Sequence, residues 1–131
     1  MERKHVTYKS LVSAAKHYKG EGNYCTVIAA ALVLGWKFGK ARAEWARRGR
    51  RTGRGTYFPD QIKLLNDHGV TLQPVYESGG TLSTVTRKLP RSGTFLVYSR
   101  SHVSVVRDGT LEDWATDSRK RIQQIFEVIY N

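Results

Sequence analysis

Residues 23–35 read Asn-Tyr-Cys-Thr-Val-Ile-Ala-Ala-Ala-Leu-Val-Leu-Gly, and their reading decides the first half of the fold. After Thr26 no side chain is polar until the closing Gly35, so a helix here is apolar on every face and must be buried all round. Asn23, a favoured N-cap, is expected to open it and Gly35 to close it. The apolar run from Val27 to Trp36 is about half the length of a bilayer span and meets Lys37 at once, so no membrane helix is expected.

Working outward, Tyr8, Leu11, Val12, Ala15 and Tyr18 recur at three and four residues, which predicts a first amphipathic helix ending in the loop Lys19-Gly20-Glu21-Gly22. A third helix is predicted over Gly39 to Arg48, with Phe38, Ala41 and Trp45 on one face. A glycine- and arginine-rich loop, Gly49 to Thr56, follows. Phe58-Pro59-Asp60 opens a fourth helix with Ile62, Leu64 and Leu65 facing the core and Gly69 as its stop. From Val70 the period becomes that of strands: Val70 to Tyr76, Thr94 to Tyr98, His102 to Arg107, Thr110 to Trp114 and Arg121 to Ile129. Between the first two, Thr81 to Leu89 fits a short helix capped by Thr81 or Ser83. Helices first and an antiparallel sheet after make a single α+β domain over residues 1–131, with any active site where the halves meet.

Composition agrees with one ordinary domain: 131 residues, 40% hydrophobic and 25% charged. The single cysteine, Cys25, excludes an internal disulfide framework and any zinc site built on several thiolates. No metal or cofactor is implied. With neither a signal-peptide core nor a membrane span in view, the expectation is an unprocessed cytoplasmic protein. Its charge is unusual, since 22 Lys+Arg against 11 Asp+Glu leave a net +11 that favours polyanionic partners.

Cys25 falls in the first turn of the buried helix, where the helix dipole favours a thiolate. Among the histidines, His5, His17 and His68 lie in a terminal segment or at helix ends, whereas His102 begins a strand. Asp108-Gly109 is a strong signal for a two-residue type I′ hairpin. That turn pairs Arg107 with Thr110, Val106 with Leu111, Ser104 with Asp113 and His102 with Ala115. Asp113 then lies on the face of His102, one diagonal step of about 7–8 Å away. Asp117 holds the other diagonal and is the second candidate.

A thiol on a helix N-terminus, a histidine on a later strand and an aspartate on the next strand can act as nucleophile, general base and orienting carboxylate. This order resembles the papain-like cysteine peptidase superfamily. More narrowly, Asn23-Tyr24-Cys25 with Ala29-Ala30, the loop from Gly49-Arg50 to Gly55-Thr56, and the span His102 to Asp113 look like a group of small papain-like proteins from phages and bacteria. The resemblance covers roughly Gly22 to Ile122 and rests on short motifs. It implies a papain-like fold and a hydrolase of peptide, isopeptide or other amide bonds, with the Gly55-Thr56 loop beside the nucleophile helix. Two departures stand out: Tyr24 occupies a position often acidic in that group, and Lys19 to Gly22 contains no Gln to serve the oxyanion. Asn23 is the remaining candidate donor, together with the Cys25 backbone N–H.

A second feature is basic. Lys37, Lys40, Arg42, Arg47, Arg48, Arg50, Arg51 and Arg54 are opposed within their own stretch only by Glu44. They form either a solvated face or a surface for nucleic acid or an acidic protein, with Trp36 and Trp45 as core anchors. The alternative to an active hydrolase is therefore a papain-like scaffold that binds such a partner without turnover.

Overall fold

A computed structural model describes residues 6–76, 80–100, 102–112 and 120–131. The fold is mixed α+β, and the chain divides into two compact units, Met1–His68 and Gly69–Asn131.

Among the described residues the first unit holds four helices: α1 Tyr8–Ala15, α2 Cys25–Leu34, α3 Phe38–Arg47 and α4 Phe58–Asp67. Thr7 caps α1, its Oγ1 accepting from Ser10 N at 3.1 Å, and the helix buries Leu11 and Ala15. It stops at Ala15, short of the expected Tyr18. There His17 and Tyr18 turn to bonds three residues back, on Ala14 and Ala15. In α2 every residue from Thr26 to Leu34 is buried, as all-round apolarity requires, and Gly35 ends it at φ 72° with its N–H on Ala31 O.

The expected N-cap of α2 needs correction. Tyr24 occupies that position and no side chain caps the helix. Asn23 instead adopts φ 46°, a left-handed conformation that asparagine tolerates better than most residues. Helix α3 begins one residue earlier than expected, at Phe38, and buries Phe38, Ala41 and Trp45. In α4 the buried positions are Gln61, Leu64 and Leu65, while Ile62 is half-buried. Gln61 accepts burial because its Nε2 donates to Thr56 Oγ1 at 3.2 Å.

The second unit is a five-stranded antiparallel sheet of order β1-β5-β2-β3-β4: β1 Val70–Tyr76, β2 Thr94–Ser99, β3 His102–Arg107, β4 Thr110–Glu112 and β5 Ile122–Tyr130. The C-terminal strand β5 is paired on both sides, so it is central. The expected helix near Thr81 is a 3₁₀ segment, Leu82–Arg87, held by a reciprocal Thr81/Thr84 capping box. Its Leu82 and Val85 pack with Phe95, Val97, Val106, Ile122 and Ile125 into one apolar cluster. Asp108 at φ 50° and Gly109 at φ 81° supply the positive angles that a type I′ turn demands. The register follows as expected, Arg107 opposite Thr110 and Val106 opposite Leu111. Among the described residues no helix is long and apolar enough to cross a membrane.

Candidate functional site

Cys25 is the first residue of α2 and is half-exposed, whereas the nine residues after it are buried. It stands at the positive end of the helix dipole, beside Tyr24, whose ring meets Phe38 edge-on at 5.8 Å.

The approach to α2 is organised by a residue that the sequence reading passed over. The Glu21 side chain, 1% exposed, accepts from Arg50 Nη2 at 2.6 Å, whose own side chain is 2% exposed. It also accepts from Arg42 Nε at 2.7 Å and from the Gly53 backbone N–H at 2.9 Å. Arg50 goes on to donate to Arg54 O at 2.7 Å and to Gly22 O at 3.1 Å, and Arg42 donates to Thr52 Oγ1 at 2.9 Å. One carboxylate therefore ties the segment just before Cys25 to the loop 49–56. Burial alone would push its pKa up. The hydrogen bonds from Arg50, Gly53 and Arg42, with the charge of Arg50, outweigh that and hold it at about 2.

Asn23 belongs to the same construction. Its Nδ2 donates to Gly53 O at 2.9 Å, so this amide ties down the loop where the sequence reading expected a cap or an oxyanion donor. Gly53 adopts φ +81°, and a Cβ there would lie 3.0 Å from Gly20 O. No sequence period marks Glu21. The one available signal is an acid flanked by glycines in a chain rich in arginine.

His102 begins β3, opposite Ser99 of β2, and is half-buried. Strand alternation puts it on the face of Ser104 and Val106, and Val106 packs in the cluster with Leu82 and Val85 of the 3₁₀ segment. Cys25 belongs to the first unit and His102 to the second. Asp113 and Asp117 lie outside the described residues. Among the described residues of β3 and β4 the carboxylate is that of Glu112, which lies opposite Val105, on the other face of β3 from His102, and makes a two-point contact with Arg107, Nε to Oε2 at 2.7 Å and Nη2 to Oε1 at 2.8 Å.

The basic stretch divides into two sets. Arg42 and Arg50 are committed to Glu21, Arg47 pairs with Glu44 at 2.7 Å, and Arg48 pairs with Asp67 at 3.0 Å. Lys40 lies over the Trp36 ring at 4.9 Å. Lys37, Arg51 and Arg54 are exposed. Trp45 is buried, and Trp36 meets His68 edge-on at 4.7 Å, so both tryptophans serve packing. Among the described residues no group of three or more His, Cys, Asp or Glu could hold a metal ion.

No protein-family model, curated protein or solved structure matches this chain.

Proposed function

We propose that this chain is a papain-like cysteine hydrolase that cleaves an amide or isopeptide bond in a peptide or protein. The observation that carries the reading is the position of Cys25: a half-buried cysteine as the first residue of a helix that is otherwise wholly buried. A helix start without a side-chain cap leaves its N–H groups and dipole to favour a thiolate there. A reducing, cytoplasmic setting would keep this thiol reduced.

In the proposed cycle the Cys25 thiolate attacks the substrate carbonyl carbon, and the His102 imidazolium gives its proton to the departing amine as the C–N bond breaks. A thioester remains on Sγ. His102 then takes a proton from water, which attacks the thioester and regenerates the thiolate. Asp113, or Asp117 on the other diagonal, orients the imidazole. Asn23 is assigned a positioning role, through Gly53 O.

The test is hydrolysis of fluorogenic peptide and isopeptide amides, with mass spectrometry for an acyl group on Cys25. Turnover and a thioester adduct in the wild type, both lost in Cys25→Ser, are expected. A wild type that forms no adduct and releases no amine from any amide overturns the reading.

A further inference from the structure

The loop that Glu21 clamps carries an arrangement the hydrolase reading does not use. Arg51 and Arg54 point to solvent, joined by a turn in which Arg54 N donates to Arg51 O at 3.0 Å. Three residues on, Tyr57 is 81% exposed, the most exposed large hydrophobic side chain among the described residues. Phe58 beside it is also exposed, at 36%. An aromatic ring this exposed contributes little to folding through burial and is open to a partner.

Its backbone surroundings are well fixed. Tyr57 O receives the N–H groups of Asp60 and Gln61 at 3.1 and 3.2 Å, which anchors the residue as the N-cap of α4. On the other side the buried side chains of Glu21 and Arg50 hold Gly53 and Arg54, and Arg42 holds Thr52. The ring and the two guanidinium groups are thus carried on a constrained span, with Arg54 and Tyr57 at most ~11 Å apart along the chain. Arg42 and Arg50 are internal to the clamp, which leaves Arg51 and Arg54 as the outward charges of the loop 49–56. Asp60 in the first turn of α4 disfavours a phosphate at that helix end.

We propose that Arg51, Arg54 and Tyr57 form a binding surface for single-stranded nucleic acid, with the arginines on phosphates and the tyrosine stacked on a base. Two outward arginines within six residues of an exposed ring suit an unpaired strand, since its bases present open π-faces next to the backbone. An acidic protein would use the arginines and leave the ring idle. A duplex hides the base faces the ring would stack upon. The net charge of +11 adds long-range attraction for either polyanion but does not choose between them.

The test is fluorescence anisotropy with a labelled oligo(dT), against a duplex of equal length and poly-glutamate, over a salt series. The wild type should bind the single strand most tightly. Arg51→Ala with Arg54→Ala should reduce the magnitude of the salt slope by about 1.4, at about 0.7 per single-strand phosphate. Tyr57→Ala should weaken binding about 5- to 150-fold without changing that slope, while Tyr57→Phe retains affinity. Lys9→Ala with Arg91→Ala, which removes the same charge from exposed positions elsewhere, should leave the slope nearly unchanged. In the wild type, photo-cross-linking to a thiouridine oligonucleotide should label the tryptic peptide 55–63. Equal or tighter binding to duplex or poly-glutamate, full affinity in Tyr57→Ala, no binding at low salt, or cross-links confined to other peptides would each overturn the proposal.

Discussion

The carboxylate of Glu21 lies 2.6 Å from Nη2 of Arg50, 29 residues further along the chain, and both side chains are almost wholly withdrawn from water. Arg42, Gly53 and Arg50 together satisfy both carboxylate oxygens, which is the condition under which a buried ion pair is tolerated. Two glycine-containing loops that lack an apolar core of their own are thereby joined at the entrance to α2.

Acid should undo this joint. The Glu21 pKa is lowered to about 2 from an ordinary 4.5, so its contribution is fully present above about pH 4.5 and is lost as pH falls toward 2. The shift corresponds to about 3 kcal/mol at neutral pH. Urea unfolding followed from pH 6 to pH 2 should show that loss in the wild type. Glu21→Gln should be destabilised by about 3–5 kcal/mol at pH 7, because it leaves buried guanidinium charge uncompensated, and should be flatter across the acid range.

Gly53 should resist substitution. Ala there would hold a side chain at φ +81° and bring its Cβ within 3.0 Å of Gly20 O. Gly53→Ala is expected to cost about 1–2 kcal/mol, read from thermal or chemical unfolding. Gly55→Ala, where a Cβ meets nothing within 4 Å and φ is not positive, should cost less.

In the sheet unit the sensitive point is Ile125 on the central strand β5, fully buried in the cluster with Leu82, Val85 and Val97. Ile125→Ala should destabilise by about 2–5 kcal/mol through lost contact and a residual cavity. Gln123→Ala, at an exposed position of the same strand, should stay within about 0.5 kcal/mol of wild type in the same unfolding experiment.

Much of this fold is written locally. Val27 to Leu34 is apolar all round, so its helix is buried all round, and Asp108-Gly109 fixes both a turn and the register of the two strands it joins. These features depend on neighbours within a few residues, where period and turn chemistry operate. Asn23 shows the limit, because asparagine suits both an N-cap and a left-handed residue, and its bond to Gly53, 30 positions away, selects the second. Glu21 shows it more sharply: a turn-like Lys-Gly-Glu-Gly carries no period, and the arginines that bury its charge come from α3 and the following loop. Arg42 and Arg50 look like their neighbours in a basic run until that partner is located, so the outward cations could not be separated from the inward ones by spacing. Of the candidate site, what was legible is that Cys25 starts a helix and His102 starts a strand, since each follows from its own element.

If Cys25 is a nucleophile activated by His102, as proposed, the rate of its alkylation by iodoacetamide as a function of pH reads that activation. The account predicts a wild-type profile whose midpoint lies below the ordinary free-thiol range near about 8.5, and a return to that range in His102→Ala. Superimposable profiles for the two proteins, both rising only near the free-thiol range, would contradict it.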